Sequence, residues 1–227
     1  MNIIKSITDK ILKNIHLKMF KKISYKQLKF NKEDKILIIS PHPDDEVFYC
    51  SGIILNNMIK KNITVLCLTN GKNSLRKKEF IKVMKLVGIR NYNILNNMEG
   101  NINFEYKIDF SLYDKIFIPN LNNTHNDHII GSFLLYKNFE KIKKSCQIYS
   151  YEDNGTLNSP THYTNLSRSI KMKIKLIKIY KTQMNSKFNF LDHIISLNRY
   201  RGTLINKSYA EFYKIFIKKS FKKKFKI

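Results

Sequence analysis

The sequence is poor in the residues that mark several classes of protein. Its 227 residues include three Cys, four Pro, seven Gly and no Trp. These low counts exclude a disulfide-stapled small domain, a collagen-like chain and a Pro/Gly-rich disordered chain. No apolar run approaches the roughly 18 to 20 residues that a membrane-spanning helix needs. Hydrophobic residues still make up 43% of the chain, enough for the core of one α/β domain in a reducing compartment.

Acidic residues are also scarce. The chain has 17 Asp and Glu but 42 Lys and Arg, which gives a net charge of +25. Such a charge keeps one alternative open, a basic module that binds nucleic acid or an anionic membrane. Only five of the 42 basic residues are Arg, and no aromatic-basic RNA motif accompanies them. Nucleic acid is therefore not the expected partner.

The two ends of the chain carry much of this charge. Residues 1–30 and residues 214–227 each have a net charge of +7. We predict a basic amphipathic segment at 1–30, a domain at 31–213 and a Lys-rich tail at 214–227. The N-terminus lacks the hydrophobic region and cleavage site of a signal peptide, which predicts a cytoplasmic protein. The basic ends, together with Phe212 and the tail phenylalanines, suit an anchor on the inner face of an anionic membrane. The alternative is a helix that packs on its own domain and exposes its Lys face to solvent.

Strand-like and helix-like patterns alternate through the middle of the chain. Short apolar runs predict buried strands at Ile36–Ile39, Ile63–Leu68, Tyr92–Leu95, Lys115–Ile118 and Gln147–Tyr151. Helical spacing predicts helices between them, one of them from about Asp127 to Lys137, and a helical last third at 166–217. The Asn-rich stretches 91–103 and 120–126 predict loops. Together these patterns predict a Rossmann-like, doubly wound α/β fold, a mostly parallel sheet with helices on both faces.

Two predicted loops gather the residue types that carry chemistry. Ser40–Glu46 follows the first strand and holds one His and three carboxylates, while two prolines restrict its backbone. Thr124–His128 follows the strand at 115–118 and holds two His and one Asp. Since ligands bind at the carboxyl ends of strands in open α/β sheets, we expect the two loops to meet at one edge. Histidines with a carboxylate and an open position for water are typical of catalytic zinc.

Individual residues also have other interpretations. Glu46 alone is better explained as an acid that complements the dipole of the next helix. Arg76 suits a contact with a substrate hydroxyl or phosphate, or an ion pair with Glu79 one turn along a helix. His42-x-Asp44 with His128 has the spacing of a non-haem Fe(II) oxygenase site, although that site normally lies in an all-β jelly roll.

The two loops resemble the motifs of the PIG-L/LmbE-like zinc-dependent N-acetylglucosaminyl deacetylases. That family has (A/P)HPDDE after a strand and a later HxDH or HxNH; His42–Glu46 matches the first and His125–His128 the second. The agreement extends over most of residues 35–212. Further matching segments are Leu68–Gly71, Arg76 with Glu79, Gly88-Ile89, Tyr180–Gln183, Arg201-Gly202 and Tyr209–Phe212. The chain departs from the pattern at Asn206, where Gly is usual, and at Glu99-Gly100, where Asp-Gly is usual.

The resemblance implies an activity and a role for each site residue. The activity is hydrolytic removal of the N-acetyl group from an N-acetylglucosamine-type glycoconjugate, with Zn²⁺ as cofactor. Asp44 is implied as the general base, His125 as the group that stabilises the oxyanion and Arg76 as a substrate-binding residue. The implied zinc ligands are His42, Asp45 and His128. The acceptor attached to the sugar and the oligomeric state stay open.

Overall fold

The computed structural model describes residues 24–71, 74–103, 108–153, 157–184 and 188–216. The strands in this part of the chain are β1 (Lys26–Gln27), β2 (Ile36–Ser40), β3 (Ile63–Thr69), β4 (Asn91–Asn97), β5 (Lys115–Ile118), β6 (Gln147–Tyr151), β7 (His162–Asn165) and β8 (Ala210–Phe216). The α-helices are α1 (Asp45–Ile54), α2 (Ser74–Val87), α3 (Asn126–Lys137), α4 (Ile170–Ile177), α5 (Lys181–Met184) and α6 (Phe190–Thr203). The predicted amphipathic segment at the N-terminus lies mostly outside the described residues, as do residues 217–227 of the tail. Among the described residues, none of the helices combines the length and the apolar character needed to cross a bilayer.

All eight strands form one sheet in the order β1-β7-β8-β6-β5-β2-β3-β4. Strands β4, β3, β2, β5 and β6 are parallel, whereas β8 runs antiparallel to both β6 and β7. Ile36 of β2 pairs with Ile63 of β3 on one side and with Lys115 of β5 on the other. The chain leaves β2 in one direction through β3 and β4 and returns to the other side at β5. The carboxyl ends of β2 and β5 therefore form the switch point where such sheets bind ligands.

Side chains of β2 alternate between two cores, as the pleat of a strand requires. Ile36 and Ile38 join the core that includes apolar residues of α1, α2, α4 and α6. Leu37 and Ile39 join the second core, which includes Leu135 of α3. Helices therefore cover both faces of a mostly parallel sheet, and the predicted fold class is confirmed.

The predicted strands are confirmed as β2 to β6, and the helix predicted from Asp127 is confirmed as α3. The loop predicted over 91–103 is wrong for Asn91–Asn97, because pairing with β3 overrides the turn preference of Asn. The last third is also less helical than predicted. Strand β8 lies between β6 and β7, and it continues through Phe216. Phe212 is 1% exposed, so its side chain belongs to the core and not to a membrane-facing tail.

One departure from the family motif has a simple backbone explanation. Asn206 has φ of 55° and so adopts the left-handed conformation that favours glycine. Asn tolerates this conformation better than most other residues. The Asn at this position is therefore compatible with the turn that follows α6.

Candidate metal centre and active site

A cavity of about 350 Å³ opens at the carboxyl ends of the parallel strands. Its lining includes every site residue predicted from the sequence, His42, Asp44, Asp45, Arg76, His125 and His128. Aromatic and polar side chains complete the described lining: Phe48, Tyr49, Glu99, Thr182, Gln183 and Phe190. The two motif loops, more than 80 residues apart in the chain, thus meet as expected.

The first loop separates two adjacent carboxylates. The backbone N–H groups of Asp44 and Asp45 both donate to the carbonyl oxygen of His42, at 2.9 and 3.3 Å, in a tight turn. The side chain of Asp45 folds back to accept a hydrogen bond from the backbone N–H of His42 at 2.8 Å. The side chain of Asp44 instead points to Arg76. The side chains of Asp44 and Asp45, adjacent at the start of α1, therefore point in different directions, one toward Arg76 and the other back toward His42.

The second loop brings two histidines to the start of α3. His125 is the N-cap residue of this helix, and its Nδ1 accepts a hydrogen bond from the backbone N–H of Asp127 at 3.3 Å. Asn123 Oδ1 accepts a hydrogen bond from the backbone N–H of His125 at 2.7 Å. His128 follows within the first turn and is 1% exposed. The cap therefore fixes the orientation of His125 while the helix carries His128 inward.

Three candidate ligand atoms converge on one point. His128 Nε2 lies 3.2 Å from His42 Nδ1 and 3.6 Å from Asp45 Oδ2, and His42 Nδ1 lies 3.5 Å from the same carboxylate oxygen. Ligands placed about 2.1 Å from a tetrahedral zinc ion are separated from one another by about 3.4 Å. The spacing of His42, Asp45 and His128 thus fits the metal that the motifs imply.

The outward-facing nitrogens of both histidines contact buried carboxylates. His42 Nε2 lies 3.0 Å from Asp127 Oδ2, and His128 Nδ1 lies 2.7 Å from Asp153 Oδ2. Each carboxylate favours a proton on the nitrogen that it contacts, which leaves the lone pair of the other nitrogen directed at the shared point. This carboxylate–histidine arrangement is characteristic of metal-binding imidazoles.

The electrostatics of the site favour a cation. Burial lowers the pKa of His42, but hydrogen bonds to Asp127 and Asp45 outweigh burial and raise it to about 10. Burial likewise opposes a charge on His128, yet nearby Asp45 and Asp153 raise the pKa of this imidazole. Burial raises the pKa of Asp45, but the positive charges of the two histidines outweigh it and lower the pKa to about 2. A proton on metal-free His42 thus supplies part of the positive charge that a divalent ion would bring to the site.

His125 is a weaker candidate for a ligand. Ligand atoms of His42, His125 and His128 lie within 4.8 Å of one another. The set of His42, Asp45 and His128 is tighter, with separations of at most 3.6 Å. Burial and the two neighbouring histidines lower the pKa of His125, so that its ring favours the neutral form. Since its Nδ1 accepts a backbone hydrogen bond, the neutral ring carries its proton on Nε2. His125 is therefore suited to donate a hydrogen bond.

Asp44 belongs to a separate ion-pair network. Arg76 donates through Nη2 to Asp44 Oδ2 and through Nη1 to Glu99 Oε1. Burial raises the pKa of Asp44 more than the charge of Arg76 lowers it. The alternative partner of Arg76, Glu79, accepts hydrogen bonds from the backbone and hydroxyl of Thr182 at 3.1 and 2.6 Å. Because Asp44 faces Arg76 and the fold is α/β, the oxygenase set of His42-x-Asp44 is not favoured.

Glu46, the third carboxylate of the first loop, has a structural environment. Its side chain is fully buried, and it accepts hydrogen bonds from Tyr180 and from Ser40, the latter at 3.2 Å. Burial raises the pKa of Glu46 to about 8. Contacts with Ser40 of β2 and with Tyr180, between α4 and α5, agree with the structural interpretation, although helix dipole complementarity alone did not predict them.

Sequence reasoning missed the carboxylate behind His128. Asp153 stands two residues beyond β6, the same position that His42 occupies after β2, and this equivalence was the available signal. The preceding Glu152 accepts two hydrogen bonds from Arg201 of α6, one of them 2.8 Å long from Nε. Both acidic residues are buried. Arg201, from a segment that matches the family, therefore holds the end of β6, where Asp153 contacts the candidate ligand His128.

Residues 37–184 match the family model described as PIG-L, GlcNAc-PI de-N-acetylase. The chain belongs to the PIG-L family. A probable N-acetylglucosaminyl-phosphatidylinositol de-N-acetylase of Dictyostelium discoideum is 31% identical over 106 residues, which cover 43% of this chain and 40% of that protein. The match therefore spans less than half the length of this PIG-L relative.

Solved structures share the PIG-L fold. The N,N'-diacetylchitobiose deacetylase from Pyrococcus horikoshii superposes with a TM-score of 0.69 at 19% identity, covering 84% of this chain and 86% of that one. GalB, the 4-carboxy-2-hydroxymuconate hydratase from Pseudomonas putida KT2440, superposes with a TM-score of 0.62 at 14% identity, covering 80% and 95%. Since a deacetylase and a hydratase both match, the shared fold does not by itself specify the reaction.

Proposed function

We propose that this PIG-L family member is a metal-dependent hydrolase that removes the N-acetyl group from an N-acetylglucosamine-type glycoconjugate. The observation that carries the proposal is the convergence of His42, Asp45 and His128, with a carboxylate behind each imidazole. The family match and the names of its relatives supply the substrate class.

His42, Asp45 and His128 would hold the metal, which we propose to be Zn²⁺. When bound there, the metal would supply a Lewis acid that acidifies water and polarises an acetamide carbonyl. Asp127 and Asp153 keep both imidazoles oriented for this role. Asp44 and His125 are not among the proposed ligands, so Asp44 can transfer a proton and His125 can stabilise charge.

We propose Asp44 as the general base. Its Oδ2 is held by Arg76, while Oδ1 makes no hydrogen bond to the residues that the structure describes. In the proposed reaction Asp44 takes a proton from water as the oxygen attacks the acetamide carbon. As the C–N bond breaks, the same proton passes to the departing nitrogen, and the products are acetate and a free amino sugar.

His125 would stabilise the negative charge that develops on the carbonyl oxygen. Its Nδ1 is occupied by the backbone N–H of Asp127, which leaves the Nε2 proton for donation. The ring lies next to His42, with the two centroids 4.9 Å apart. A neutral donor that is already oriented costs little reorganisation as the charge forms.

Two isosteric variants test these roles against each other. Asp44→Asn should retain metal and fold but lose about two to four orders of magnitude in acetate release, the usual contribution of a positioned acid–base group. Asp45→Asn should weaken metal retention instead. Metal content by elemental analysis and acetate release from N-acetylglucosamine derivatives would be measured for both. Wild-type turnover in Asp44→Asn, or loss of its metal, would overturn the assignment.

We also propose that the protein is cytoplasmic and peripheral on an anionic membrane surface. The support is the net charge of +7 on each of residues 1–30 and 214–227. Sedimentation with anionic and with neutral vesicles would compare the full chain with one that lacks both ends. Loss of binding on truncation is the expected result, and equal, negligible binding by both forms would refute the proposal.

A further inference from the structure

We infer that the buried ion pair between Lys173 and Glu211 is a positioning device for the active site, because it holds a break in α1 that places one wall of the cavity. This inference rests on the proposed N-deacetylase function and adds two positioning residues to the proposed ligands and acid–base groups. It also gives a role to the matching segment Tyr209–Phe212, which contains Glu211.

Helix α1 is interrupted at Cys50. This residue has φ of −128° and ψ of 23°, whereas helical residues have values of about −63° and −42°. In a continuous helix the backbone N–H of Ser51 would donate to the carbonyl oxygen of Val47, and the N–H of Gly52 to that of Phe48. At the break, all four of these backbone groups have partners outside the regular helix pattern.

The ion pair supplies three of those four partners. The carboxylate of Glu211 accepts hydrogen bonds from the backbone N–H of Ser51 at 2.9 Å and of Gly52 at 2.8 Å. Lys173 Nζ donates to the carbonyl oxygen of Phe48 at 2.7 Å and to Glu211 at the same distance. The hydroxyl of Ser51 donates to the remaining carbonyl oxygen. Side chains thus stand in for backbone groups on both sides of the break.

Stability of α1 alone does not explain this arrangement. The side chain of Lys173 is fully buried and that of Glu211 is 3% exposed. Burial lowers the pKa of Lys173 more than the neighbouring carboxylate raises it, so the charged form is costly here. A continuous helix would satisfy the same backbone groups without burying two charges. The break therefore needs an explanation in what α1 contacts.

The two halves of α1 differ in their relation to the cavity. Asp45, Phe48 and Tyr49 precede the break and line the cavity, whereas no residue of Ser51–Ile54 belongs to its described lining. The ring of Phe48 also packs against that of Phe190, another lining residue, with the centroids 5.9 Å apart. Because the ion pair holds the backbone of Phe48, it places the aromatic wall beside the candidate ligands.

A close approach at Gly52 supports the same role for the carboxylate. A Cβ at this position would lie 3.2 Å from Glu211 Oε2 and 2.1 Å from Thr164 Oγ1. The hydroxyl of Tyr213 donates to the same Oε2 at 2.8 Å. Glycine therefore allows α1 to meet strands β7 and β8 at one carboxylate.

The test removes both charges together and replaces them with apolar side chains of similar size. In Lys173→Met/Glu211→Met, the two N–H groups after the break lose their acceptor and can be satisfied only by the carbonyl oxygens of α1. Replacing the pair as a unit avoids the uncompensated charge that a single substitution leaves. The matched control is Lys115→Met/Asp34→Leu, which removes another buried ion pair at the opposite edge of the sheet.

Two measurements separate positioning from stability. Carbon chemical shifts of Cys50 in the metal-free protein report its backbone angles, and we expect helical values in Lys173→Met/Glu211→Met but wild-type values in the control. Kinetics of acetate release from an N-acetylglucosamine derivative would follow KM and kcat of the zinc-loaded proteins. We expect KM to rise about tenfold or more, as for loss of a well-placed apolar contact, with a smaller change in kcat. The control should keep the wild-type KM.

Glu211→Gln is the second variant, for the case that the double variant does not fold. It keeps the shape of the side chain but offers an oxygen to only one of the two N–H groups and an NH₂ group to the other. We expect a smaller rise in KM and a partial shift of the Cys50 signals.

Three results would overturn the inference while leaving the proposed function in place. Wild-type shifts of Cys50 in the variants would show that the break does not depend on the ion pair. A wild-type KM together with helical shifts would show that the break does not place the wall. An equal rise of KM in the control would assign the effect to loss of charge in general. Failure of the wild type to release acetate from any N-acetyl sugar would instead refute the proposed function, while the chemical shifts still test whether the ion pair holds the break.

Discussion

Replacement of Asp153 by Asn tests whether the carboxylate behind His128 serves the metal. Asp153 Oδ2 lies 2.7 Å from His128 Nδ1 and also accepts a hydrogen bond from the backbone N–H of Asn120 at 3.1 Å. The side chain is 1% exposed. Asp153→Asn keeps the shape of the side chain and removes its charge, so the imidazole becomes a weaker electron donor.

Loss of a partner behind a metal-binding histidine typically costs 10- to 100-fold in metal affinity. A change of that size corresponds to about 1.4 to 2.8 kcal/mol. Competition between the protein and a chromogenic zinc chelator would measure the affinity at fixed pH and salt. Thermal unfolding of the metal-free proteins would show whether the fold is retained.

The matched control is Asp192→Asn, the same chemical change at an exposed position in the first turn of α6. We expect wild-type metal affinity in this control. If Asp153→Asn also binds zinc as tightly as the wild type, the carboxylate does not orient the ligand and the reasoning about His128 fails.

Three further predictions follow from the site and the core. The pKa of His42, raised to about 10, keeps the metal-free imidazole protonated at pH 7, so zinc binding should release about one proton and weaken as the pH falls. Calorimetry in buffers of different ionisation enthalpy would count the protons, and zero release would contradict the direction of this pKa shift. Lys173→Met should lower the free energy of unfolding in urea by about 3 to 5 kcal/mol, because buried Glu211 loses the ammonium group that lies 2.7 Å away. A loss below about 1 kcal/mol would refute this prediction. Gly52→Ala should destabilise the fold by about 1 to 3 kcal/mol in the same assay, since a Cβ would lie 2.1 Å from a side-chain atom of Thr164, and wild-type stability would show that the contact relaxes freely.

The sheet around the site could be predicted because its strands are short, apolar and separated by helical patterns. Lys115–Ile118 and Gln147–Tyr151 have in the structure the bounds that their apolar runs predict. Strands β7 and β8 escaped prediction for a physical reason. His162–Asn165 contains no apolar run, and its place in the sheet comes from pairing with a distant segment. Long-range pairing of this kind leaves no local periodicity to detect.

The candidate ligands could be predicted because they are concentrated in two motifs, each directly after a strand. The groups that orient them could not be predicted in the same way. Asp153 is 25 residues from His128, and Arg201 is a further 48 residues along the chain. Arg201 lies in a segment that matches the family, but the match gives it no role, and Asp153 is marked only by its place two residues after a strand. Their roles emerge only when β6 and α6 pack beside the site.

The measurement that tests the central claim most directly is anomalous X-ray scattering from crystals of the zinc-loaded protein. The account predicts one zinc ion bound by His42 Nδ1, Asp45 Oδ2 and His128 Nε2 at about 2.0 to 2.2 Å. A zinc ion held by the three histidines without Asp45, or the absence of any zinc at this edge of the sheet, would contradict it.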